Sequence, residues 1–159
     1  MKIRLFEAED VEQIAWLFHD TVREVNLGDY SSSQVRAWAP DDLYFRNWVE
    51  VCSSRFTYVA EIGGVVSGFG ELEPNGHVDC FYIHKNYQRR GVGSKIYREI
   101  ETKALELSIN RLFVEASITA KPFFQRMGFS VVKEQKVARR GEIFTNYVME
   151  KILQSLATK

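Results

Sequence analysis

The segment Tyr87-Gln88-Arg89-Arg90-Gly91-Val92-Gly93-Ser94 constrains this chain more than any other. It follows an apolar run, Cys80-Phe81-Tyr82-Ile83, and opens a pattern in which Val92, Ile96, Ile100 and Ala104 recur at helical spacing. A strand that turns through glycines into a helix presents the helix's first amides outward, without internal partners and at the positive end of its dipole. That arrangement binds anions, phosphate above all. Gly91 and Gly93 remove side chains that would block the approach, and Lys85, Arg89 and Arg90 add positive charge. Two common nucleotide loops are excluded. The dinucleotide fingerprint wants a third glycine where Ile96 stands, and the spacing of the Walker loop does not occur.

The rest of the chain must supply a sheet and a core around that turn. A length of 159 residues suits one domain over residues 1–159, and 45% hydrophobic with 26% charged residues is ordinary globular composition. Lys2 to Glu7 alternates as a first strand, and Asp10-x-x-Gln13 reads as a capping box. Val11, Ile14, Ala15, Phe18, Val22 and Val25 then form one helix face. Ser31-x-x-Gln34 starts a short helix closed by Pro40, and Asp41 or Asp42 starts a third. Phe56 to Ile62 and Val65 to Glu73 form a hairpin through Gly63-Gly64. His77 to His84 is the next strand. After the glycine turn come a long helix to about Ser108, a strand from Arg111 to Ala116 and a short helix from Lys121 to Met127. Ser130 to Val137 and Ile143 to Glu150 end the pattern as a hairpin through Arg140-Gly141.

A formal net charge of +0 excludes the basic surface that a nucleic-acid binder needs. No apolar run approaches the ~18–20 residues of a membrane span, and the opening strand leaves no room for a signal peptide. Two cysteines, Cys52 and Cys80, lie in apolar patterns and read as buried free thiols. A cytoplasmic bacterial protein is the expectation.

Gln88-x-x-Gly91-x-Gly93, between its strand and its helix, resembles the pyrophosphate-binding signature of the GNAT superfamily of acetyl-coenzyme A-dependent N-acetyltransferases. Phe123-Phe124-Gln125-Arg126-Met127-Gly128-Phe129 is similar to the ending of the superfamily's second cofactor motif, one strand and one helix downstream. The resemblance extends from about Ile3 to Met149. The segments Ala116 to Phe124 and Ile143 to Tyr147 resemble a narrower, YafP-like bacterial subgroup. The implied fold is the α/β (α+β type) GNAT acyltransferase fold. It has a mixed, mostly antiparallel sheet of about seven strands, two of them splayed, with helices on both faces. Acetyl-CoA is the implied cofactor. Its pyrophosphate would meet Gln88 and the amides of Arg89, Arg90, Gly91, Val92, Gly93 and Ser94. Its pantetheine arm would lie along Phe81, Tyr82 and Ile83, and Ser117, Phe123, Phe124 and Arg126 come from the second motif. Many members pair through sheet edges, so a homodimer is a further expectation.

Acetyl transfer to an amine requires a base, a polarised carbonyl and a stabilised leaving thiolate. An amide of Phe81 to Ile83 would polarise the carbonyl. The register counted back from Gln88 puts His77, with Asp79 on the same strand face, where relatives hold a base; Glu71 and then Glu115 are the next candidates. His84 beside the turn reads as touching solvent or cofactor, and His19 as structural. The chain departs from the family at Phe124, where a tyrosine usually serves the leaving sulfur, and at Ser117, where many relatives carry asparagine. Tyr82 and Tyr147 are the hydroxyls that could substitute. The acceptor site is expected from Tyr30, Gln34 and Trp38 and, on the last hairpin, Phe144 and Asn146. Aromatics among neutral polar groups suit a small, partly apolar amine, free or amino-acid-like, rather than a polycation. The missing tyrosine also keeps open a weakly catalytic or non-catalytic acyl-CoA-binding sensor or scaffold.

Overall fold

A computed structural model describes residues 1–154. Its seven strands form two antiparallel ladders. The first holds β1 (Lys2–Leu5), β2 (Phe56–Ile62), β3 (Val65–Leu72) and β4 (Val78–Ile83) in chain order. The second holds β5 (Arg111–Ser117), β6 (Ser130–Arg139) and β7 (Glu142–Ile152) in the order β5-β7-β6. The hairpin turns lie where the glycines predict them: Gly63 and Gly64 adopt φ of 57° and 80°, and Arg140 and Gly141 adopt 46° and 81°.

Helices cover both faces of the first ladder. One core packs α1 (Val11–Glu24), α2 (Ser32–Trp38) and α3 (Trp48–Ser53) over Val59 and Phe69. The other packs α4 (Val92–Glu106) and α5 (Lys121–Arg126) over Ala60, Leu72, Leu112 and Met149. β3 is almost wholly buried, and its α4 face is made of glycines. A Cβ on Gly68 would come within 2.9 Å of Ile96, and one on Gly70 within 2.6 Å of Phe81 and 3.1 Å of Ile100. The missing side chains let Ile96 and Ile100 sink to 0% exposure, which stabilises the fold by roughly 1.5–3 kcal/mol for each such side chain.

Local chemistry moves two helix starts. Asp10 does not cap α1. It closes a reciprocal box with Glu7 around the turn Ala8–Asp10 and takes both terminal nitrogens of Arg4 at 2.8 Å. Gln13 is thereby free to accept the amide of Val66 at 2.8 Å. The third helix begins at Trp48, capped by Asn47, because Asp41 pairs with Arg23 and the Asp42 side chain accepts the amide of Tyr44. The Ser31–Gln34 box forms as read.

Among the described residues the two ladders share one backbone bridge. His77 and Phe113 form a single parallel bridge, with the amide of Phe113 donating to Gly76 O at 3.1 Å. From there β4 and β5 run in the same direction and separate. This is the expected splay, expressed as a V with its vertex at His77.

Candidate active site

The space between the arms of the V is an open cleft of about 1040 Å³, mouth included. β4 lines it continuously from Val78 to Tyr82, and β5 from Val114 to Ser117. Strand edges that line a gap keep backbone groups available to a ligand. β4 also carries a bulge. Its pairing passes from Glu71–Asp79 to Phe69–Tyr82, with an extra residue inserted, and Cys80 adopts a φ of +38°. Positive φ at a non-glycine residue is stored strain of the kind found at functional sites.

At the wide end, β4 runs into the glycine turn. Gly91 caps α4 at φ +78°, and a Cβ there would meet nothing within 4 Å, so the chain is open to solvent at the entry to α4. Arg89 adopts φ +60°. Arg89 and Arg90 are exposed and form no ion pair among the described residues, and Arg90 lies 5.3 Å over the Tyr87 ring. Lys85 is not available to this turn, because Glu24 holds it at 2.6 Å. Gln88 is also turned inward. Its amide donates to Ile83 O at 2.7 Å and ties the turn to the end of β4. Gly93 serves packing: a Cβ there would lie 3.0 Å from the Phe123 ring, which itself stacks on Phe81 at 5.1 Å. Arg126 sits on the exposed side of Phe123. Ser117 lines the cleft and accepts the amide of Ala120 at 3.0 Å. His84 accepts the amide of Asn86 and stacks edge-on with Tyr87. His19 pairs with Asp20 on the outside of α1 at 3.3 Å.

His77 corrects the sequence reading. It stands at the vertex, with Nδ1 2.6 Å from Glu73 and Nε2 2.6 Å from Glu115. Two carboxylates on two ring nitrogens require both nitrogens to donate, which only the imidazolium can do. The bond to Glu115, against burial and with help from Glu73, lifts its pKa to about 9. A histidine already protonated at neutral pH takes no proton from an amine; here it clasps β4 to β5. Glu71 is corrected too. It is buried at 0% exposure, where Arg46 holds both its oxygens at 2.9 Å and Arg55 reaches it at 2.8 Å. Burial pushes its carboxyl above the ordinary range, and it stands behind the cleft wall.

The two carboxylates that do line the cleft are Asp79 and Glu115. Burial would raise Asp79, but Arg55 at 2.6 Å and the charge of Arg46 hold it below the usual range. The bond from His77 does the same for Glu115. Burial pushes the Cys52 thiol up to about 12 and Cys80 well up, so both are inert thiols.

The two candidate hydroxyls and the five candidate acceptor-site residues separate clearly. Tyr82 lines the cleft, and Trp38 Nε1 donates to its oxygen at 3.1 Å, which leaves the hydroxyl hydrogen free. Burial raises its pKa, so it stays a neutral donor. Tyr147 lies away from the cleft, under Lys121 at 4.2 Å. Phe124, 1% exposed, places a phenyl ring in the cleft wall among Phe81, Phe123 and Phe129. Tyr30, Trp38, Phe144 and Asn146 form the opposite wall, with Trp38 and Phe144 5.1 Å apart. Gln34 does not join them. Its amide caps Ser31 and donates to Ile143 O at 2.7 Å, which fastens α2 to β7. Sequence reasoning missed Asn26, a buried cleft residue one turn beyond Val22 on the α1 face, which that spacing could have found. It also missed Arg46 and Arg55, whose partners are distant in the chain and leave no local signal.

A family model described as an acetyltransferase (GNAT) domain matches residues 26–151. Over 150 residues the chain is 37% identical to the uncharacterized N-acetyltransferase YafP of Escherichia coli K12, covering 94% of each chain. It superposes on a GCN5-related N-acetyltransferase from Rhodopseudomonas palustris with a TM-score of 0.89 and 30% identity, over 96% of this chain and 95% of that one. The PaiA N-acetyltransferase of Thermoplasma acidophilum, solved with coenzyme A, has the same fold, with a TM-score of 0.79 at 16% identity over 95% of this chain and 98% of that one. The splayed strands, the glycine turn on α4 and the family match have one meaning: the chain belongs to the GNAT acetyltransferases.

Proposed function

We propose that this acetyltransferase moves the acetyl group of acetyl-CoA onto the primary amine of a small, partly apolar molecule. The observation that carries the proposal is the cleft bounded continuously by β4 and β5, with the glycine turn that opens α4 following the end of β4. The residues fit a coenzyme A thioester. A left-handed Gly91 faces open space, Arg89 and Arg90 are uncommitted, and the backbone edge of Phe81 and Tyr82 suits an extended arm. Ile83 contributes through its amide, since its carbonyl is taken by Gln88 and Thr21.

Bound acetyl-CoA supplies an acetyl group activated as a thioester. The protein's part is to position and stabilise. Just past the bulge at Cys80, Phe81 lines the cleft, and its amide would polarise the acetyl carbonyl. The free hydroxyl hydrogen of Tyr82 serves the leaving sulfur in place of the family tyrosine absent at Phe124. Asp79 and Glu115 draw the amine's proton away through water, a role their committed, lowered carboxyls fill better than direct abstraction.

The test is release of free thiol from acetyl-CoA across a panel of small amines, with calorimetry of coenzyme A binding alongside. Thiol release above hydrolysis with at least one amine is expected. Tight binding with no turnover, in both the native protein and a Phe124→Tyr variant, would favour the second reading: an acyl-CoA-binding sensor or scaffold. Phe124, a phenyl where the family places a hydroxyl, is what supports that reading.

A further inference from the structure

The cleft's polar groups divide into those already satisfied and those that are not. Asp79 is held by Arg55 and Glu115 by His77. The Tyr30 hydroxyl donates to Thr145 O at 2.7 Å and accepts the amide of Ile118 at 2.8 Å. Besides the free hydroxyl hydrogen of Tyr82, three groups are left without such partners among the described residues. The carboxamides of Asn26 and Asn146 are each only 7% exposed, line the cleft and make no side-chain hydrogen bond, and Asn146 Oδ1 is fully enclosed without a partner. The Arg139 guanidinium reaches the cleft 5.4 Å over the Trp38 ring. It donates only to its neighbour's carbonyl, Ala138 O at 2.9 Å, and has no carboxylate partner. Buried carboxamides left unpaired are costly, and the one uncommitted charge in the cleft is positive. Apart from Cys80, Ser117 and the Tyr82 hydroxyl, the remaining wall is aromatic and aliphatic.

From this pattern we infer that the acceptor is a free α-amino acid with an apolar or aromatic side chain, its carboxylate paired with Arg139. The inference rests on the N-acetyltransferase reading and narrows its substrate. Arg139 takes the carboxylate as a charge-assisted pair. Asn26 and Asn146 hydrogen-bond the polar backbone of the amino acid, and its side chain lies against Trp38 and Phe144. A polyamine would meet the Arg139 cation, whose charge also acts on Glu115, and carboxylates that are already engaged. In the reaction the amine nitrogen bonds to the acetyl carbon, the carbon–sulfur bond breaks with its electron pair on sulfur, and the proton shed by nitrogen ends on the thiolate or in water.

The test compares amino acids with their decarboxylated partners in the thiol-release assay: L-phenylalanine with phenethylamine, and L-leucine with isopentylamine. For the better pair, kcat/KM should favour the amino acid by at least ~10-fold. Arg139→Met should erase that preference by slowing the amino acid alone, and Arg139→Lys should restore part of it. Equal use of both partners by the native enzyme, or an Arg139→Met variant that slows both alike, overturns the inference. Calorimetry with coenzyme A-saturated protein separates this outcome from failure of the underlying reading. L-Phenylalanine or L-leucine that binds, and is weakened by Arg139→Met, without any thiol release supports the amino-acid site and sinks the transferase reading. Neither binding nor release sinks the amino-acid site.

Discussion

Replacing His77 with glutamine should remove a pH-dependent part of this protein's stability. The imidazolium joins Glu73, in the turn before β4, to Glu115 on β5, and it stacks at 5.0 Å on Phe113, which Arg111 covers on the same strand. Asp79 adds a further negative charge nearby. A folded pKa of about 9 against an ordinary 6.5, at ~1.4 kcal/mol per pH unit, sets a ceiling of about 3.4 kcal/mol. The Glu115 side chain is 47% exposed, so solvent screening brings the expected value to about 1–2 kcal/mol. The folded pKa is raised, so the contribution is complete below pH 6.5 and is lost as pH climbs through about 9. Urea unfolding of native and His77→Gln proteins at about pH 6 and about pH 10 isolates it. Only the native protein should lose about 1–2 kcal/mol between the two conditions beyond what both share. Parallel losses in the two proteins, or an imidazole titrating near 6.5 by NMR, would refute the clasp. The same variant should keep the native pH–rate profile at neutral and alkaline pH, because a clasp moves no proton in the reaction, and should alter only the acid side, where the Glu115 carboxyl is no longer held low.

Other perturbations follow from single contacts. Gly76→Ala should cost about 2–4 kcal/mol, because its Cβ would fall 2.1 Å from Arg111 O at a φ of +95°; an unchanged denaturation midpoint would contradict the vertex geometry. Gly91→Ala and Gly141→Ala both strain a left-handed glycine in open space, at φ +78° and +81°, and each should lose about 1–2 kcal/mol. Only the first should weaken coenzyme A binding in calorimetry, and equal effects would detach α4 from the cofactor. Tyr82→Phe should lower kcat by about 10²-fold with little change in coenzyme A affinity. Adding Phe124→Tyr should recover part of that loss, and a Tyr82→Phe enzyme as fast as the native one would remove Tyr82 from the chemistry.

What the sequence discloses here depends on the distance over which a signal acts. Gly63-Gly64, the Ser31–Gln34 box and the turn at Gly91 are decided within a few residues, and each forms where the local pattern puts it. The order of strands and helices follows from periodicity, and the splay came only with the family resemblance. Roles that depend on partners far along the chain are not legible in it. His77 looked like a base because nothing adjacent reveals that Glu115, 38 residues on, would occupy its second nitrogen. Glu71 reads as a base candidate because Arg46 and Arg55 have no periodic relation to it. Gln34 and Gln88 looked like ligand-binding amides, yet each is used to fasten one piece of the fold to another. Tyr82 and Tyr147 were indistinguishable by sequence, and burial beside Trp38 separates them.

A fold divided along its middle has amides that nothing shields from exchange until a guest arrives. Beyond His77 and Phe113, the inward margins of the two ladders have no neighbouring strand among the described residues to shield them. Deuterium uptake along Phe81–Ile83 should therefore report whether the groove is filled, while uptake on Val59 and Phe69, deep in the opposite core, stays constant. A filled groove would in effect complete the sheet, so the guest acts as a temporary eighth strand as well as a reactant.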